Sequence, residues 1–205
     1  MAEQKAEPKA GGQKAAGAAR KTVDKWKKKK WFTITASRLF DKKALCETPA
    51  EKPKHLMGRT LRVTLDVLTG QRTRRDYIIT FKVNDVQGQT ASTKISMFEI
   101  NKGSLSRTIR RRNTKVALVE SIPVAGGEAK STIIIVTERK ATQKQEAGMR
   151  AMIKQEYEML KGKEFEEVIQ ELLLGNFVNE VFKKAVKVCL VKKVLVAKSV
   201  FVESK

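Results

Sequence analysis

The sequence predicts an α+β protein: an antiparallel, barrel-like β-domain followed by a helical section that returns through a C-terminal strand. Three observations predict it. Apolar residues alternate with period two across much of Arg59 to Thr137, shift to helical spacing between Met149 and Val186, and give way to a β-branched run from Val188 to Val202. The 205 residues divide accordingly into a basic tail (1–24), a β-rich domain (25–140) and a helical section with the C-terminal strand or strands (141–205).

Residues 1–21 are rich in Ala, Lys, Gly and Gln without periodic apolar positions, so the tail is expected to be disordered in isolation. Trp31 to Thr35 reads as an entry strand. Ser37 to Cys46 has no clear period, and Pro49 and Pro53 mark a loop that ends at Gly58. Leu61, Val63, Leu65 and Val67 share one face of a strand that runs to a turn at Thr69-Gly70. Tyr77, Ile79, Phe81 and Val83 repeat the alternation up to a turn over Asn84 to Gly88, and Ala91 to Ile100 follows as the next strand. Ser104 is placed to cap a short helix with Leu105 and Ile109 stacked at i, i+4. Lys115 to Ile122 and Ser131 to Thr137 read as a hairpin around Gly126-Gly127.

Helical spacing then takes over. Met149, Met152, Ile153, Tyr157 and Leu160 form one stripe, ended by Gly162. Phe165, Val168, Ile169, Leu172 and Leu173 form a second, ended by Gly175. Asn176 opens a third, with Phe177, Val178, Val181, Phe182 and Val186.

The net charge of +21 destabilises a compact monomer by self-repulsion and points to a polyanionic partner. It is unevenly spread. Met1 to Ala141 holds 31 basic and 13 acidic residues, Thr142 to Glu180 holds 5 and 8, and Val181 to Lys205 holds 7 and 1. One lobe is therefore built for a polyanion. Two cysteines, Cys46 and Cys189, are too few and too distant for a disulfide framework, which suits a reducing compartment. No apolar run reaches membrane-spanning length and no secretory signal is visible, so a soluble intracellular protein is expected.

Two basic stretches carry the candidate RNA contacts. Lys25, Lys27, Lys28, Lys29 and Lys30 are interleaved with Trp26 and Trp31. Lysines neutralise phosphates and indoles stack on unpaired bases. Trp31 begins an apolar alternation and is expected to be buried, whereas Trp26 is expected to face RNA. Arg107, Arg110, Arg111 and Arg112 form the second stretch, expected on a helix with no acids at i±4 to pair with them. Arg72, Arg74 and Arg75 sit on the turn after Gly70. Arg38, Arg59, Lys115, Arg139, Lys140, Lys144 and Arg150 complete the candidate set.

Catalytic chemistry finds little support. His55 is the single histidine, no Cys/His pair has zinc spacing, and no P-loop is present. Glu164, Glu166 and Glu167 suit the start of a helix, where the dipole favours acids. No enzyme activity, metal, cofactor or small-molecule substrate is expected.

A series of motifs resembles a known family. Lys27 to Phe32 gives a basic run followed by Trp-aromatic. Gly58-Arg59 starts a strand that runs on to Asp66-Val67-Leu68-Thr69-Gly70. Asp85 to Gly88 forms an Asp-Val-Gln-Gly turn, and Arg110-Arg111-Arg112-Asn113-Thr114-Lys115-Val116 and the Gln-rich entry from Gln143 to Ile153 follow in order. Together they resemble the S-three-a, or eukaryote-type S-one, family of small-subunit ribosomal proteins shared by archaea and eukaryotes, which is unrelated to the bacterial S-one protein of OB repeats. The short C-terminus is similar to archaeal members. Local departures are Ile95 to Ile100, which lacks the family's glycine, Ala125 to Glu128 in place of an aromatic-bearing hairpin, and Cys189-Leu190 in place of Tyr-Pro. The resemblance implies a non-catalytic, cytoplasmic, ribosome-bound structural protein. Its implied partners are small-subunit rRNA and neighbouring platform proteins, with messenger RNA nearby. The alternative is a free RNA-binding translation factor or regulator.

Overall fold

A computed structural model describes residues 25–203, so the expected tail over residues 1–24 lies outside the described residues. A 3-10 turn, Lys25–Lys28, leads into β1 (Lys30–Thr35). Phe32 and Ile34 point into the protein while Lys30 and Trp31 remain exposed. Trp31 is 57% exposed, which corrects the expectation of a buried indole: the register of β1 gives the inward position to Phe32, at 3%. A 3-10 turn at Arg38–Phe40 then leads to β2 (Ala44–Ala50), a strand the sequence did not signal because it contains Pro49. Proline is tolerated there because, among the described residues, β2 pairs only with β1 and is a sheet edge.

β3 is short (Thr60–Thr64), and Leu65–Thr69 forms a single helical turn, α1, instead of continuing the strand to Val67. Leu65 and Leu68, one turn apart, are buried and Val67 is exposed. The Thr69 hydroxyl donates to the Leu65 carbonyl at 2.8 Å. Gly70, at φ 72°, ends the turn and donates its N–H to the Asp66 carbonyl. That left-handed backbone is one that glycine adopts without a Cβ penalty.

β4 (Tyr77–Gln87) and β5 (Thr90–Ile100) form a long hairpin. Its turn is Gly88-Gln89, so β4 runs through the expected turn at Asn84, absorbing it as an irregularity between Val83 and Asp85. α2 (Lys102–Thr108) is capped by Asn101, whose side chain accepts from the Gly103 N–H at 3.0 Å, rather than by Ser104. The helix ends before Ile109, whose backbone is extended. Arg110, Arg111 and Arg112 therefore lie in the following loop and not on a helical face, which corrects the expectation of a helical arginine cluster. β6 (Lys115–Val124) and β7 (Gly127–Thr137) join through the two-residue turn Ala125-Gly126.

The helical section holds α3 (Gln143–Glu158), α4 (Phe165–Leu173) and α5 (Phe177–Val186). α3 and α4 each open with a capping box, Thr142 with Gln145 and Glu164 with Glu167. β8 (Val191–Glu203) brings the chain back as one strand, antiparallel to both β5 and β7.

The eight-stranded sheet runs β2-β1-β5-β8-β7-β6, with β4 on the other edge of β5 and β3 beyond it. All pairs are antiparallel except β1 with β5. The sheet is open, which corrects the barrel-like expectation: β2, β3 and β6 each have one partner strand among the described residues. One edge of β5 is divided between two strands, β1 at Thr90 to Ser92 and β8 at Met97 to Glu99, so the sheet forks instead of closing.

The main core joins Phe81 and Phe98 of the hairpin, Ile133 and Ile135 of β7, and Met149, Ile153, Val168, Ile169 and Val181 of the helices. Each such side chain contributes about 1.5–3 kcal/mol when fully buried. A smaller cluster around Phe32, Ile34, Leu56 and Val83 fixes β1 against β4.

Candidate nucleic-acid interface

The basic side chains gather at the strand ends of the sheet. At one end lie Lys27 to Trp31, where the chain enters β1. Trp26, Lys27, Lys28, Lys29 and Lys30 are exposed, and the Lys29 ammonium sits 4.4 Å from the centre of the Trp26 ring. Lys25 opens this turn. Trp31 is opposite Pro49 in the β1–β2 register. Arg59 reaches the same place: its Nη1 donates to the Thr48 hydroxyl at 3.0 Å and its Nε to the His55 carbonyl at 2.9 Å. Arg59 thus ties the Pro53–His55 turn to the β2 edge beside an exposed indole. Lys52 and Lys54, which the sequence did not single out, are exposed on this loop.

A second group follows the far end of β3 and α1. Arg72–Arg74 forms a 3-10 turn with Arg75 at its end. The Asn101 N–H donates to the Asp76 carbonyl at 2.7 Å, bringing α2 beside this turn. Arg107 pairs with Asp76 at 3.8 Å, so it is not the unpaired cation the sequence suggested. The Thr64 hydroxyl and, to a smaller degree, Arg75 hold the Asp66 carboxyl below its ordinary range. The Lys43 ammonium donates to the Val67 carbonyl at 2.6 Å, anchoring the segment after Arg38–Phe40 to α1; Arg38 itself is exposed.

The third group sits where β6, β7 and β8 meet the loops. The Thr114 N–H donates to the Thr137 hydroxyl at 3.0 Å, the Ala141 N–H donates to the Thr114 hydroxyl at 3.0 Å, and the Glu138 N–H donates to the Leu190 carbonyl at 2.9 Å. This knot holds Lys115, Arg139 and Lys140 together, all exposed. Lys115 is opposite Val136, and Val136 is opposite Lys193, so the two lysines share one sheet face across three strands. Lys192 and Lys193 were missed; the surplus of lysines after Val181 was the available signal.

Arg110, Arg111 and Arg112, all exposed, form the connection between the second and third groups. No carboxylate among the described residues pairs with them. Lys144 and Arg150 stand apart from these groups on α3, and Arg150 is held by Glu146 at 3.0 Å. No cluster of three or more His, Cys, Asp or Glu side chains suited to a metal occurs among the described residues. No helix of the described residues is long and apolar enough to cross a membrane.

The model of the Ribosomal S3Ae family matches residues 17–205. The chain belongs to this family. It is 32% identical over 184 residues to the small ribosomal subunit protein eS1 of Archaeoglobus fulgidus, covering 88% of this chain and 87% of that protein. The protein of the same name from Methanobrevibacter smithii is 30% identical over 186 residues, covering 90% and 96%. The match to the S3Ae model takes in the three basic groups and the helices alike, so it extends over the whole described fold.

Proposed function

We propose that this chain is a structural constituent of the small ribosomal subunit that binds and stabilises rRNA. The observation that carries the proposal is the Arg110–Arg112 connection, three guanidiniums without carboxylate partners joining two further basic groups along the strand ends. Such a rim repels itself until phosphates lie between its charges. The eS1 name of the archaeal relatives supports the ribosomal setting. In that setting the chain resides in the cytoplasm on the platform, near the messenger exit and the 3′ end of the rRNA, beside other platform proteins. Its role is positional and not catalytic.

Sedimentation tests the proposal. The tagged chain should travel with small subunits and stay there after a high-salt wash. Recovery in the free fraction after the wash would identify a dissociable translation factor instead.

A further inference from the structure

We infer that the cleft where β5 and β8 splay apart is a docking slot for an extended segment of a partner protein. β8 pairs with β5 only from Met97↔Val200 to Glu99↔Lys198, and beyond Val200 it follows β7 alone. The separation has a local cause. In the β4–β5 register Thr80 is opposite Met97 and Phe81 is opposite Ile95, so Ser96 is an extra residue without a partner. A bulge of this kind bends its strand and ends pairing on it.

The result is a cavity of about 550 Å³, lined by β5 from Lys94 to Ser96 on one side and by Phe201 and Val202 of β8 on the other. Its volume is in the range of about 300–1,000 Å³ typical of ligand sites. No strand pairs with residues 94–96 on the side towards β8, among the described residues. An added strand finds backbone partners on such an edge.

The lining decides between occupants. Phe165 and Phe201, with ring centres 5.2 Å apart, form an apolar wall suited to a hydrophobic or aromatic side chain. Lys94 favours an acidic neighbour on the incoming segment. Glu164 and Glu166 on the other wall balance Lys82 and Lys94, so the slot has no cationic surplus to hold a phosphate backbone, and its apolar wall favours a peptide over RNA. A second copy of this chain carries +21 and is repelled as a whole. The occupant is therefore an extended peptide from a different protein, with an apolar residue and an acid within a few positions of each other.

The ribosomal reading enters only in choosing where the partner is sought, and sedimentation reports on that reading separately. In the full-length chain, Asn84 at the mouth of the slot is replaced by photo-reactive benzoylphenylalanine, and purified subunits carrying it are irradiated. The expected result is one crosslinked peptide from another protein, containing an apolar residue near an acid, and its loss when Ser96→Trp fills the slot. Hydrogen exchange gives a second measurement on the unmodified chain: amides of residues 94–96 should exchange at least about tenfold more slowly in the subunit than in the free protein. Crosslinks to rRNA, to a second copy or to residues 1–24 of the chain itself would overturn the inference, and so would unchanged exchange rates.

Discussion

Trp31 and Phe32 are neighbours on β1 that face opposite ways: the indole is 57% exposed and the phenyl ring 3%. The strand period assigns the two aromatic side chains to different tasks. Phe32→Ala removes a core aromatic and should cost about 3–5 kcal/mol in urea unfolding. Trp31→Ala should change stability by less than about 0.5 kcal/mol but weaken RNA binding by roughly 1–3 kcal/mol if the ring stacks on a base. In single-Trp variants both Trp26 and Trp31 should emit as solvated indoles and both should respond to rRNA. A blue-shifted Trp31 in the free protein would contradict the register of β1.

Because Arg110, Arg111 and Arg112 lie in a loop, replacing all three with alanine touches no helix and no ion pair among the described residues. Urea stability should stay within about 0.5 kcal/mol of the parent. Binding to single-stranded rRNA fragments should weaken, and the slope of log K against log salt should become shallower by about 2, at roughly 0.7 per lost phosphate contact. An unchanged slope measured by filter binding would remove these arginines from the interface.

The difference between these outcomes and the sequence expectations is physical. Signals written in a few consecutive residues were legible: the hairpin around Gly126-Gly127, whose turn falls one residue earlier at Ala125-Gly126, the stripe from Phe165 to Leu173, and the stop at Gly175. Positions decided by pairing were not. β2 holds Pro49 and is a strand only because β1 lies beside it. Leu65 and Leu68 fit a helical turn as well as Leu65 and Val67 fit a strand, and packing chose the former. A stacked Leu105 and Ile109 suggested a helix long enough to carry Arg110 to Arg112, but the chain becomes extended at Ile109. In the candidate interface, runs such as Lys27 to Lys30 are visible locally. The alignment of Lys193 with Lys115 depends on β8 crossing back beside β7.

The Glu156 carboxylate is almost fully buried and accepts a hydrogen bond from the half-exposed Lys184 ammonium, clamping α3 to α5. Removing the two partners should have unequal effects. After Glu156→Gln the lysine can turn to water, so a cost of about 1 kcal/mol is expected, in keeping with an exposed partner. Lys184→Met leaves a buried carboxylate without its cation and should cost more, about 2–3 kcal/mol, below the 3–5 of a fully buried pair because Lys184 itself is half exposed. Urea unfolding of both variants and the double mutant checks this order. Equal costs for the single variants would show that water reaches Glu156.

Tyr157 is buried against Phe177, and its hydroxyl has no hydrogen-bond partner of good geometry among the described residues, although Ser131 is close. Ser131 shares its own hydroxyl with Ser199 at 2.8 Å. Tyr157→Phe should therefore be neutral or stabilising by up to about 1 kcal/mol near pH 7, since it removes a desolvated hydroxyl without changing the packing. Burial, reinforced by the charge of Glu120, pushes the phenol well above its ordinary value. The consequence for pH follows from which state releases the proton. Above about pH 10 the unfolded chain ionises its tyrosine while the folded chain keeps the proton, so the stability present below that pH is lost as pH rises. The parent should lose about 1.4 kcal/mol per pH unit more than Tyr157→Phe above pH 10. Tyr77 is present in both proteins and cancels in the comparison. Urea unfolding at pH 8, 10 and 11 makes the measurement. Parallel curves, or a Tyr157→Phe variant destabilised by more than about 1 kcal/mol at pH 8, would show that Ser131 binds the hydroxyl after all.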